Sequence, residues 1–73
     1  MELNERQVQL LKHLAEGDGA TTTKLVEALR IPSAEFAPIA EPLLADGLVG
    51  TAVPTLGAGW WWITPKGREA LRS

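Results

Sequence analysis

The sequence predicts an α+β fold in which three helices are followed by a two-stranded hairpin and a short C-terminal helix. Three observations lead to this prediction. The segment from Ser33 to Gly47 carries apolar residues at the i, i+3, i+4, i+7, i+8 spacing of a helix. Capping residues and glycines mark the ends of the predicted helices. The segment Trp60 to Ile63 has the aromatic and β-branched composition of a strand.

The first predicted helix has well-defined ends. Asn4 is a favourable N-cap, and Gln7 three residues later completes a capping-box-like pair. Apolar residues at helical spacing follow, and Gly17 supplies a left-handed stop. Helix 1 is therefore expected from about Glu5 to Glu16.

A second, shorter helix is expected after a turn. Thr21, Thr22 and Thr23 offer hydroxyls that can cap its first turn, and it is expected to end near Arg30. The following Ile31-Pro32 pair predicts a tight connection, because the residue before proline disfavours the α region.

Helix 3 is expected to begin at Ser33, which can act as its cap. Its apolar stripe consists of Phe36, Ile39, Ala40, Leu43 and Leu44. Pro38 and Pro42 interrupt the pattern, since proline lacks an N–H and clashes with the carbonyl four residues earlier. Helix 3 is expected either to bend at these prolines or to become regular only from about Pro38.

The remaining residues predict a hairpin and a final helix. Leu48 to Val53 reads as a strand, Pro54 to Gly59 as a loop, and Trp60 to Ile63 as the returning strand. Thr64 followed by proline is a typical helix start, and this helix is expected to run through Arg72.

Composition limits the classes of protein to which the chain can belong. With 73 residues, 45% hydrophobic and 22% charged, residues 1–73 are expected to form one folded domain. The net charge is -2, whereas a compact domain that binds duplex DNA usually has a basic excess. There is no cysteine and one histidine, so no metal or cofactor site is expected. The hydrophobic pattern of the sequence predicts neither a membrane span nor a secretion signal, so a cytoplasmic protein is expected.

Three segments resemble the winged helix-turn-helix fold. They are Leu29-Arg30-Ile31 leading into helix 3, the passage LLADGLV over 43–49, and the passage ITPKGREAL over 63–71. The last is similar to the strand-to-helix passage of bacterial transcriptional regulators of the multiple-antibiotic-resistance and phenolic-acid-repressor types. The resemblance covers nearly the whole chain, and it implies a DNA-binding regulator that places helix 3 near a duplex.

The side of helix 3 that would face DNA has unusual chemistry for that role. The family typically carries Arg, Lys, Ser, Thr and Asn there, and base readout needs such hydrogen-bonding side chains. The predicted wing tip, 54–59, carries no charge either. The corresponding exposed face in this sequence is Ala34, Glu35, Pro38, Glu41, Pro42 and Ala45.

Phosphate contacts are predicted at both ends of helix 2. Thr22, Thr23 and Lys24 lie at its N-terminus, where N–H groups and hydroxyls can hold a phosphate, and the resemblance adds Arg30. Helix capping alone also explains the threonines. Lys66, Arg68 and Arg72 form a basic cluster, which is expected to be a solvated surface.

The run of three tryptophans predicts a two-sided strand. Alternation places Trp61 and Ile63 on one face and Trp60 and Trp62 on the other. If Ile63 faces the core, Trp60 and Trp62 share the outer face. There they are either covered by a terminal segment or form an exposed patch, which is typical of an interface.

Two functional hypotheses therefore remain open, and both are non-enzymatic. His13 has polar neighbours, and no catalytic constellation is present. The first hypothesis is a DNA-binding transcriptional regulator whose partner is double-stranded DNA. The second is a protein-interaction module, for another protein or a second copy in a homodimer. Its predicted interaction surface comprises Glu35, Pro38, Glu41, Pro42, Trp60 and Trp62.

Overall fold

The computed structural model describes residues 2–52 and 59–72. Within these residues the elements are α1 (Glu5–Ala15), β1 (Ala20–Thr21), α2 (Thr22–Leu29), α3 (Ser33–Ala45), β2 (Val49–Ala52), β3 (Trp60–Ile63) and α4 (Pro65–Arg72). The predicted α+β winged-helix order is confirmed. The predicted loop over 54–59 lies outside the described residues except for Gly59, and so does Val53 at the end of the predicted strand.

Within the part of the chain that the structure describes, the sheet has one strand more than the two-stranded prediction. The three strands are antiparallel and lie in the order β1-β3-β2. β1 pairs Ala20 with Trp61 and Thr21 with Trp60. Two residues are too few to show an alternating pattern, so the sequence carried no signal for this strand.

The caps of α1 and α2 follow the sequence closely. Asn4 and Gln7 form the predicted capping box, and the Thr21 hydroxyl caps α2 by accepting from the Lys24 N–H. The left-handed stop predicted at Gly17 is wrong, because α1 ends on a right-handed Glu16 and Gly17 is not at positive φ. At the end of α2, the left-handed residue is Arg30, at φ 55°.

The start of α3 differs from the prediction. The N-cap position is Pro32, which has no capping side chain, and Ser33 is the first helical residue. The helix is continuous from Ser33 to Ala45, so a regular start near Pro38 is also wrong. Pro38 and Pro42 lie inside the helix and are exposed, which leaves the carbonyls that lose a donor on a side that water can reach.

The core lies between the helices and the inner face of the sheet. α3 contributes Phe36, Ile39, Ala40 and Leu43. Leu44 was predicted to belong to the core stripe, and this is wrong, because its side chain is 38% exposed. The other large buried side chains are Leu10, Leu11, Leu14, Leu25, Leu29, Ile31, Leu48, Val49 and Ile63.

α4 is held against the end of α3 by short polar contacts. The Thr64 hydroxyl accepts from the Gly67 N–H at 3.1 Å, as a cap, and donates to the Gly47 carbonyl at 2.6 Å. Lys66 Nζ donates to the Asp46 carbonyl at 2.7 Å. None of the helices in the described ranges has the length and apolar character needed to cross a bilayer.

Candidate nucleic-acid interface

The outer side of α3 is exposed as predicted. Its centre is a strip in which Ala34, Pro38, Glu41 and Ala45 follow one another at i, i+4, i+7 and i+11, and all four are exposed. Glu35 and Pro42 are exposed at the edge of this strip. From Ala34 to Ala45 no side chain carries a hydrogen-bond donor when the glutamates are ionised. We call the four central residues the α3 strip.

Glu35 lies at the border between α3 and α1. It lines a cleft of about 490 Å³ together with Arg6, Pro38 and Ile39. The Arg6 Nη1 donates to the Leu29 carbonyl at 3.2 Å, so its guanidinium is hydrogen-bonded to the end of α2. Glu35 therefore lies at the edge of the outer face, on the side that borders α1, and Pro38 of the strip adjoins the same cleft.

At the N-terminus of α2, the Thr22 side chain is hydrogen-bonded within the fold, whereas the Thr23 side chain is exposed. The Thr22 hydroxyl accepts from Trp61 Nε1 at 2.9 Å and donates to the Gly59 carbonyl at 3.4 Å. The Thr22 hydroxyl therefore has two partners inside the fold. Thr23 and Lys24 are exposed, and within the described residues their side chains make no hydrogen bond.

Arg30 lies at the opposite end of α2 from Thr23 and Lys24. Eight helical residues separate the two ends by roughly 10 Å, so the four predicted phosphate contacts do not form one cluster. Arg30 instead lines a cleft of about 530 Å³ with Arg6, Lys12 and His13 among its walls.

Three cations have a structural task that the sequence did not reveal. Arg6, Lys66 and Arg68 donate to the carbonyls of Leu29, Asp46 and Ala15, at 3.2, 2.7 and 3.5 Å. Each of these carbonyls lies at the C-terminal end of a different helix, where a cation favours the helix dipole. From the sequence, these contacts could be expected only through the general preference of cations for helix C-termini. This preference does not indicate which helix a cation far away in the sequence will contact.

The tryptophans alternate as predicted, and the outer pair is exposed. Trp60 is 42% and Trp62 37% exposed. Trp61 faces inward, with its ring edge-on to Phe36 at a centroid distance of 5.2 Å. Because Phe36 belongs to α3, the two outer tryptophans point away from α3, and the predicted interaction surface is divided between two sides of the molecule.

The outer indoles lie over glycines of neighbouring segments. A side chain at Gly19 would meet the Trp60 ring, and one at Gly50, opposite Trp62 in β2, would meet the Trp62 ring. These glycines let the indoles lie flat on the sheet, which explains why more than half of each Trp is covered.

The fold is similar to that of solved transcriptional regulators of the MarR family. The zinc-responsive MarR family member ZitR of Lactococcus lactis matches with a TM-score of 0.85 at 22% identity, over 99% of this chain and 51% of that chain. The transcriptional repressor CouR, bound to a 23-mer DNA duplex, matches with a TM-score of 0.86 at 23% identity, over 97% and 51%. The transcriptional regulator Tm0710 of Thermotoga maritima matches with a TM-score of 0.85 at 19% identity, over 96% of this chain and 51% of that chain.

These likenesses confirm that the chain has the winged-helix fold found in MarR-family regulators. The chain spans about half the length of the solved structures that it matches. No family model matches the sequence, and no curated protein matches it. ZitR is described as zinc-responsive, but residues 2–52 and 59–72 of this chain contain no group of three potential metal ligands that could hold an ion.

Proposed function

We propose that this chain is the DNA-binding part of a non-enzymatic transcriptional regulator, with α3 in the major groove and the first turn of α2 on a phosphate. The observation that carries the proposal is the likeness of nearly the whole chain to a repressor solved on a DNA duplex. The α3 face offers no cation, so the phosphate contacts must supply most of the affinity.

Lys24 is the residue best suited to a phosphate contact. It lies in the first turn of α2, where a cation opposes the helix dipole and lowers stability slightly. Its side chain is exposed and, within the described residues, makes no bond that would compensate for this position. Thr23, exposed beside it, adds a free hydroxyl. Because the charge of Lys24 does not stabilise the fold at this position, its presence there supports a role in binding.

Arg30 is a second proposed contact, to a different phosphate because of its distance from Lys24. Another protein as the main partner finds no support in the comparisons. For the assembled regulator we infer two copies on adjacent half-sites about one helical turn apart, the usual arrangement of helix-turn-helix dimers. The ratio of protein to duplex at saturation tests this arrangement.

The proposal is tested by replacing Lys24 with glutamine and titrating a labelled duplex, monitored by fluorescence anisotropy at about 50 mM salt. We expect K24Q to weaken binding to all duplex sequences alike, because a phosphate contact carries no sequence information. The free energy of unfolding should stay equal or rise slightly, because the unfavourable dipole interaction is removed.

The matched control is Arg72→Gln, which removes the same charge from an exposed position at the end of α4. We expect it to change the affinity much less than K24Q. Equal losses in both variants would mean that only net charge matters and that α2 does not contact the duplex. An unaltered protein that binds no duplex at this salt concentration would refute the proposed function.

A further inference from the structure

The α3 strip combines one hydrogen-bond acceptor with three short apolar groups. Glu41 is the only polar side chain in it, and Ala34, Pro38 and Ala45 surround it along the helix. An ionised carboxylate accepts hydrogen bonds and donates none. If α3 lies in the major groove, as proposed above, the strip can only recognise base edges that present a donor or an apolar group.

The major groove presents such edges on one class of base. Cytosine offers its N4 amino group, and thymine offers its C5 methyl group. Guanine offers only acceptors, N7 and O6, which would repel a carboxylate. Adenine places the N7 acceptor beside its amino group, so a carboxylate meets repulsion there as well as attraction.

The shape of the strip favours close approach to the bases. Alanine and proline extend little beyond the helix backbone, so α3 can lie deep in the groove while Glu41 reaches further than its neighbours. Pro38 and Pro42 also remove the intrahelical donors to the carbonyls of Ala34 and Pro38, which adds acceptors and no donors to this side of the helix.

We propose that the α3 strip recognises a pyrimidine-rich strand, in which Glu41 accepts a hydrogen bond from the N4 amino group of one cytosine and the apolar residues contact thymine methyl groups. This inference rests on the proposed DNA-binding function. It goes further by assigning the base class and the residue that selects it.

The experiment is selection of bound duplexes from a random library, with the unaltered chain and with Glu41→Gln. For the unaltered chain we expect a site with cytosine at one position among thymines on the same strand. Glutamine pairs with the N6 and N7 atoms of adenine, so E41Q should replace that cytosine by adenine, with a preference of about tenfold.

The control variant is Glu35→Gln, which makes the same change on the same helix but at the border with α1. It should raise affinity slightly for all sequences, by removing a negative charge, and leave the base preference unchanged. In a separate measurement, uracil replaces thymine in the selected site. Because this removes only the methyl group, we expect weaker binding by the unaltered chain and by E35Q alike.

The outcomes separate this inference from the proposed function. If the chain binds duplexes with no preference, or selects guanine instead of cytosine on the strand that carries the thymines, the inference is overturned while the DNA-binding function stands. The same holds if E41Q leaves the selected site unchanged, or if the uracil duplex binds as well as the thymine duplex. If no duplex binds, both are overturned.

Discussion

Thr22 and Trp61 illustrate how single side chains join the parts of this fold that would contact DNA. The indole N–H of Trp61 reaches the Thr22 hydroxyl at the start of α2, and its ring meets Phe36 on α3. The Thr22 backbone N–H also donates to the Gly59 carbonyl at 3.0 Å, just before β3. One inward tryptophan therefore fixes the start of α2 and the first turns of α3 relative to the sheet.

Gly67 is the residue at which α4 comes closest to the rest of the molecule. A Cβ there would meet the Leu48 carbonyl and lie 2.7 Å from Ile63 Cγ1. The Leu48 carbonyl already accepts from the Thr64 N–H at 3.1 Å, so it cannot move without weakening that bond.

We expect Gly67→Ala to destabilise the protein despite the better helix propensity of alanine. The propensity gain is about 1 kcal/mol, whereas forcing a methyl group into a packed site costs about 1–3 kcal/mol. Urea unfolding followed by tryptophan fluorescence measures the difference. Gly17→Ala is the matched control, because within residues 2–52 and 59–72 its added Cβ has no atom within 4 Å apart from its chain neighbours, and its φ is not positive. A stability of Gly67→Ala equal to that of Gly17→Ala would show that α4 moves away freely.

At the scale of elements, the two prolines of α3 lower the stability of this helix and form part of its exposed side. A proline inside a helix costs about 3 kcal/mol relative to alanine, and α3 contains two. Four buried residues on its inner side, Phe36, Ile39, Ala40 and Leu43, offset this cost through burial of apolar area. The helix forms because of its core contacts and in spite of its local sequence.

We therefore expect Pro42→Ala to raise the free energy of unfolding by about 1–3 kcal/mol, since it restores the N–H that can donate to the Pro38 carbonyl. Thermal unfolding by circular dichroism provides the measurement. Pro65→Ala is the control, because Pro65 is the first residue of α4, where proline is favourable, and its replacement should not stabilise the protein. A drop in stability for Pro42→Ala would mean that the helix depends on the fixed φ of this proline.

The whole molecule has few cations to offer a duplex. Of its seven Lys and Arg residues, three donate to helix-end carbonyls. Lys24 and Arg30, at the two ends of α2, are the cations for which we propose phosphate contacts. With a net charge of -2, the chain as a whole is repelled and not attracted by DNA over long distances.

The salt dependence of DNA binding should therefore be shallow. Two phosphate contacts per copy predict a slope of about −2 for one bound copy, and about −4 for the two copies inferred above, in the logarithm of affinity against the logarithm of salt concentration. For one copy this is a loss of about tenfold between about 50 and 200 mM salt. Titrations of one duplex over this range measure the slope. A slope steeper than about −5 would contradict this, because it would need more cations at the duplex than α2 supplies.

The features that the sequence determined are those with a local cause. The Asn4 and Gln7 capping box, the Thr64 cap and the alternation of Trp60, Trp61 and Trp62 depend on residues within a few positions of each other. The exposed side of α3 follows from helical periodicity in the same way. Because these features depend on local geometry, the sequence pattern was enough to predict them.

The tertiary structure alone decided the features that depend on distant partners. β1 exists only because Ala20 and Thr21 meet β3, some 40 residues later in the chain. The Thr22 hydroxyl, which the sequence offered as a phosphate contact, binds Trp61 and Gly59 in the folded chain. Arg68 reaches the end of α1, 53 residues away in sequence. Since sequence patterns report on neighbours along the chain, they cannot say which polar groups the folded chain will use internally and which remain exposed.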